Sequence, residues 1–164
     1  PLMRVLTPSS AEEAVAMLGA TPDATVMSGG TDLMVEWPLH LERHDGTYLD
    51  LSAVADLRAH RWDDDALVIG GTTTYWDLIR DTLVWDEFPV LIQAARQVGA
   101  VQIQARGTWA GNIANASPAA DGVPALMAYD AEVVLRGADG DLSVIPIRRC
   151  RLSTLCSSRR SHAQ

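Results

Sequence analysis

The stretch RGTWAGNIANASPAAD, residues 106–121, is the most telling part of the chain. It carries Gly107, Gly111, Asn112, Asn115, Thr108 and Ser117, with no charge between Arg106 and Asp121. It is too apolar for an ordinary surface loop. Burying it without partners for its amides and hydroxyls would be costly. A large polar ligand lying along it would supply those partners. The spacing is not that of a P-loop, which needs a lysine that this chain lacks, nor that of a G-x-G-x-x-G turn.

A second segment, VMSGGTDL at residues 26–33, lies far upstream. An apolar strand, Ala24 to Met27, runs straight into Ser28, Gly29, Gly30, Thr31 and Asp32. Glycines permit tight turns and close approach of a ligand. Successive free N–H groups in such a turn form an anion-binding concavity, and Thr31 adds a hydroxyl. Asp32 repels a phosphate, so it is expected to cap the next helix or to accept a hydrogen bond from a sugar or from the loop. By itself a GG pair fits a plain structural turn equally well.

The flanking sequence reads as alternating helices and strands. Ser9 or Ser10 begins a helix, with Glu12 or Glu13 as the capping-box acid, Ala14, Val15 and Leu18 on one face, and Gly19 as its stop. Leu33 to Leu39 is expected to be helical up to Pro38, and Thr47 to Leu51 to be a strand. Asp63, Asp64 and Asp65 read as a solvated turn. Leu67 to Gly70 is expected to be a strand, and Tyr75 to Trp85 one helix with Trp76, Ile79 and Leu83 on one side. Pro89 opens a helix that Gly99 ends. Val123 to Ala128 is a compact apolar segment. Ala131 to Leu135 and Leu142 to Ile147 are strands joined by a turn at 137–140.

Length and charge narrow the function. The chain of 164 residues is 48% apolar and 21% charged, which suits a folded globular protein and excludes wholesale disorder. No run approaches a membrane span. The net charge is −8, and a nucleic-acid partner is excluded because it would need a basic face. Five of the 13 basic residues lie after Ile147, and no acid follows Asp141. Residues 148–164 have no apolar period and are expected to be a disordered basic tail. Cys150 and Cys156 make neither a disulfide framework nor a metal cluster. His40, His44, His60 and His162 show no ligand spacing and read as surface groups. The start lacks a basic stretch followed by an apolar one, and the protein is read as cytoplasmic. No catalytic dyad and no metal site is found.

GGTDL at 29–33 and QIQARGTWAGNIANASPAAD at 102–121 together resemble the FAD-binding medium subunits of molybdenum hydroxylases, the xanthine dehydrogenase, carbon monoxide dehydrogenase and 4-hydroxybenzoyl-CoA reductase family. LVIGGTTTYWDL at 67–78 and FPVLIQAARQVGAVQI at 88–103 resemble the family's intervening segments. The resemblance covers roughly residues 1–147. It implies an α+β, two-lobed FAD-binding fold: an N-terminal lobe over 1–60, a second lobe over 61–147, and FAD between them.

By the same resemblance, a pyrophosphate loop falls on Met27, Ser28, Gly29, Gly30, Thr31, Asp32 and Leu33. A second FAD loop falls on Thr108, Trp109, Ala110, Gly111 and Asn112, followed by Ser117 and by Asp121, the latter on the ribityl or adenosine side. Trp109 stands where relatives carry Ile or Leu, and Gln104-Ala105 replaces an Arg-Asn pair. The implied role is electron relay. The molybdenum cofactor would sit in a large subunit and the 2Fe-2S clusters in a small one, with FAD in this chain passing electrons to an outside acceptor. Because the family usually continues into a C-terminal domain, the chain is expected to be a truncated member. The alternatives are a non-enzymatic fragment that folds in part without retaining FAD, and a small acidic interaction domain whose GG turn is only structural.

Overall fold

The computed structural model describes residues 3–39, 45–117, 119–137 and 142–147. The expected basic tail, His40, His44, His162 and both cysteines lie outside the described residues.

The chain opens with β1 (Arg4–Leu6), α1 (Ala11–Ala20), β2 (Thr25–Met27), α2 (Thr31–Glu36) and β3 (Thr47–Asp50). The three strands form one parallel sheet in the order β1-β3-β2. Leu6, Leu49 and Val26 stand in register across it. On the central strand both Tyr48 and Leu49 are buried, so both faces are covered there. Trp37 packs its ring 5.1 Å from that of Tyr48. Ser10 caps α1 by accepting from the Glu13 N–H, while Glu13 reaches back to Ser9 rather than to the cap residue. Gly19 lies inside this helix and does not stop it, because the main chain closes on Thr21 instead. Pro38 falls in a single 3-10 turn, Trp37–Leu39, that continues α2.

Next comes the hairpin of β4 (His60–Asp63) and β5 (Ala66–Ile69). The sequence does not announce β4, whose residues are mostly polar. The expected division between residues 60 and 61 falls on its first residue. Asp64 adopts a left-handed φ of 50° at the hairpin tip, which a short Asp side chain tolerates. Asp64 and Asp65 therefore make the turn while Asp63 ends β4, and among the described residues there is no group of acids or histidines that could hold a metal ion.

Six helices follow: α3 (Tyr75–Ile79), α4 (Thr82–Glu87), α5 (Pro89–Gln97), α6 (Val101–Gln104), α7 (Trp109–Asn115) and α8 (Gly122–Ala128). The single helix expected over Tyr75 to Trp85 is thus two. Asp81 interrupts it and accepts from the Leu83 and Val84 N–H groups, starting α4 afresh. The new phase buries Tyr75, Leu78 and Val84 and leaves Leu83 60% exposed, which corrects the expected face. Tyr75, Leu78, Val84, Leu91, Ile92, Ala95, Trp109, Ala125 and Leu126 form one core. The chain ends, as described, in the hairpin of β6 (Glu132–Arg136) and β7 (Leu142–Pro146), tied to the core by the Ile147 N–H donating to the Ala131 carbonyl at 3.0 Å. Among the described residues no helix is long and apolar enough to cross a membrane.

Candidate functional site

The GG turn lies where β2 ends. Gly30 has φ of 71°, the left-handed region that glycine enters without penalty. A Cβ on Gly29 would fall on the Arg106 carbonyl oxygen, so only glycine lets the two glycine-bearing segments touch. Ser28 Oγ donates to the Gly71 carbonyl at 3.4 Å. The turn is therefore held on one side by residue 71 and on the other by residues 106–107.

A third segment, Thr72 to Tyr75, closes the cluster. Thr74 and Thr108 face each other in an isolated antiparallel bridge. The Tyr75 N–H donates to the Gly107 carbonyl at 3.1 Å, and the Trp109 N–H to the Thr73 carbonyl at 3.3 Å. Thr74 and Asp77 form a reciprocal capping box on α3. Thr108 caps α7, its hydroxyl accepting from the Gly111 N–H at 3.0 Å. Capping explains why a stretch read as a loop becomes a helix from Trp109 onward.

The implied cofactor residues are placed as follows. Met27, Ser28, Gly29, Gly30, Thr31 and Leu33 are half-buried along the first turn, and Asp32 is exposed. Asp32 does not cap α2, whose cap residue is Gly30 with no side-chain bond. Thr108 and Trp109 are buried, and Ala110, Gly111 and Asn112 are half-buried. The Ser117 hydroxyl accepts from the Ala119 N–H at 3.2 Å. Asp121 is exposed immediately before α8 and makes no capping bond there. The Trp109 ring lies 4.7 Å from that of Tyr75, inside the core. Its bulk serves packing. Gln104 is also structural: it is buried, and its amide donates to the carbonyls of Arg96 and Val98 at 3.2 and 3.1 Å.

Among the described residues, four buried polar atoms have no hydrogen-bond partner, all in this cluster of segments: Thr72 Oγ1, Tyr75 Oη, Trp109 Nε1 and Asn112 Oδ1. Each such group costs about 1–3 kcal/mol if nothing meets it. They lie on the Thr72–Tyr75 and Trp109–Asn112 segments, and a Cβ on Gly122 would lie 3.2 Å from both Asn112 Oδ1 and the Trp109 ring. Unmet hydrogen-bonding groups beside a glycine-built junction fit a polar ligand laid across these loops, as FAD would be. That Thr72 and Tyr75 would bury unpartnered hydroxyls was not legible in the sequence, because the TTTY run reads simply as the start of a helix.

One expected surface group is placed otherwise. His60 Nε2 sits 2.7 Å from Asp81 Oδ2, and both side chains are only partly exposed. That hydrogen bond, helped by the Leu83 and Val84 N–H groups against a burial penalty, holds the Asp81 carboxyl below the usual range. Burial pushes Asp77 upward, but the Thr74 N–H and hydroxyl and the Arg58 guanidinium outweigh it and hold this carboxyl low.

Residues 2–153 match the family described as the FAD binding domain in molybdopterin dehydrogenase, so the match runs past the Ile147 limit that the motifs suggested. The chain is 31% identical over 136 residues to the xanthine dehydrogenase FAD-binding subunit of Escherichia coli O157:H7, covering 82% of this chain and 46% of that one. It is 32% identical over 145 residues to the carbon monoxide dehydrogenase medium chain of Hydrogenophaga pseudoflava, covering 88% and 50%. A carbon monoxide dehydrogenase structure from that organism superposes with a TM-score of 0.82 over 90% of this chain and 51% of the other, at 32% identity. The reconstituted CO dehydrogenase of Oligotropha carboxidovorans gives a TM-score of 0.84 at 27% identity, again over 90% and 51%. The chain thus spans about half the length of these relatives. An α+β fold built around two mutually packed glycine loops, and these matches along nearly its whole length, place the chain in the family of FAD-binding domains of molybdopterin dehydrogenases.

Proposed function

We propose that this chain holds FAD for a molybdenum hydroxylase of the cytoplasm. In this reading FAD lies between residues 1–60 and 61–147. Electrons reach it from iron–sulfur clusters in a small partner subunit, which are fed by a molybdenum-cofactor large subunit, and leave to an external acceptor. The observation that carries the reading is the junction of Gly29 with Arg106 and Gly107, together with four buried polar atoms without partners on the Thr72–Tyr75 and Trp109–Asn112 segments. When bound, FAD supplies the redox chemistry, and the protein supplies binding, orientation and electrostatic tuning.

The residues divide that work. The Ser28–Asp32 turn offers backbone N–H groups to the pyrophosphate, with Gly29 and Gly30 allowing close approach. Thr31 adds a hydroxyl, and Met27 and Leu33 flank the turn. Thr108 fixes the second loop by capping it, so that Ala110, Gly111 and Asn112 present the start of α7 to the cofactor. Ser117 and Asp121 serve the sugar side. Trp109 keeps this loop rigid from within the core.

The test is reconstitution. The purified 164-residue chain is titrated with FAD, and binding is read from flavin fluorescence and from the blue absorption bands of protein retained on a desalting column. Saturable one-to-one uptake is expected. A chain that folds but takes up no FAD sinks the reading.

A further inference from the structure

Thr72 and Tyr75 belong to neither glycine-bearing segment, yet two of the four unpartnered buried atoms are theirs. Tyr75 is firmly placed. Its N–H is bonded to the Gly107 carbonyl, its ring lies against Trp109, and a Cβ on Gly107 would sit 3.4 Å from that ring. The residue is 2% exposed, so its hydroxyl position is set by packing. Buried hydroxyls are nearly always hydrogen-bonded, and this one has no partner among the described residues. Burial first, then the carboxylates of Asp121 and Asp32, push the phenol far above its ordinary range, so it remains an O–H donor. Those two carboxylates come from different segments: Asp32 follows the GG turn, and Asp121 ends the second motif.

The unpartnered atoms of these segments and the two carboxylates that act on the phenol mix donors with acceptors. The Thr72 and Tyr75 hydroxyls can do both, the Trp109 indole donates, and Asn112 Oδ1 and the two carboxylates accept. A phosphate calls for donors and positive charge, and carboxylates repel it. A polyol both donates and accepts, and matches the mixture. Resting on the FAD reading above, we propose that the Tyr75 hydroxyl, seconded by Thr72, hydrogen-bonds a sugar hydroxyl of the cofactor, on the ribityl chain or the adenosine ribose.

Tyr75→Phe in the full chain keeps the ring and removes only the hydroxyl. The expected result is an FAD Kd raised about three- to tenfold, the range of one neutral hydrogen bond. The thermal midpoint without FAD should stay level or rise, because an unmet buried hydroxyl is gone. An unchanged Kd overturns the proposal. So does a fall of the FAD-free midpoint alongside the Kd change, since it makes the hydroxyl structural. Displacement by FMN, which has the ribityl chain, and by ADP, which has the ribose, assigns the sugar. Weakening of one alone in the variant supports the proposal and names the sugar. Weakening of both points to phosphate, and weakening of neither leaves no sugar contact; either overturns it. If Tyr75→Phe does not fold, Thr72→Val carries the test by the same criteria. Wild-type protein that binds no FAD defeats the parent reading before any variant is compared.

Discussion

At the scale of single residues, Gly29 and Gly30 are constrained for different reasons, and substitution separates them. Gly30 needs its positive φ, while a Cβ there would meet only the flexible Met27 side chain, at 3.3 Å. Gly30→Ala should therefore cost about 1 kcal/mol of stability and leave the loops in contact. A Cβ on Gly29 meets backbone, the Arg106 carbonyl, which cannot swing aside. Gly29→Ala should part the two segments and weaken FAD binding more than Gly30→Ala does, even if both variants melt alike. Paired FAD titrations and melting curves decide this; equal affinities for the two variants would remove the junction from the site. The β-branched Gly30→Val adds crowding to the backbone strain, and unchanged FAD affinity in it would take the GG turn out of the site. Trp109→Ala should cost about 3–5 kcal/mol, because it empties a fully packed aromatic position. Chemical denaturation measures that directly.

At the scale of elements, the short helices α3 and α4 depend on their caps. Thr74 and Asp77 start α3, and Asp81 starts α4. Thr74→Ala and Asp81→Ala should each lose about 1 kcal/mol. Both acids have folded pKa values below the ordinary Asp range. A depressed folded value contributes stability that is present above the unfolded pKa and is lost as pH falls through the folded one. The thermal midpoint should therefore hold from neutrality to about pH 4, the unfolded Asp value, and fall below it. His60→Ala removes the main group holding Asp81 low, so its acid limb should still begin near the unfolded value but be shallower, with less stability lost on acidification. A pH series of melting curves on both proteins tests the sign; superimposable acid limbs would dismiss the His60–Asp81 bond as a contributor.

At the scale of the whole molecule, FAD and folding should be linked. A ligand that binds only the folded chain at a hundred times its Kd adds about 2.7 kcal/mol. The thermal midpoint should thus climb with FAD concentration, and less steeply in Gly29→Ala. Calorimetry across an FAD series checks this, and a midpoint indifferent to FAD would contradict a site built across the fold.

The sequence by itself determined what local chemistry controls. Ser10 and Glu13 announce α1, Pro89 opens α5, and the Gly29-Gly30 and Gly107–Asn112 segments stand out because their composition suits neither an ordinary core nor an ordinary loop. Those same segments carry the family. Tertiary structure decided the rest. The Tyr75–Trp85 apolar pattern fits one helix until Asp81 finds both His60 and two free N–H groups, and the resulting break rotates Leu83 outward and Val84 inward. Trp109 reads as a loop residue until Thr108 caps the turn and Tyr75 receives its ring. Thr72 and Tyr75 are left with buried, unpartnered hydroxyls only by the packing of the folded chain, for which the TTTY run contains no signal. Capping, turns and periodicity act within a helical turn or so of chain. Burial, and the hydrogen bonds a buried group is left without, depend on neighbours brought in from anywhere.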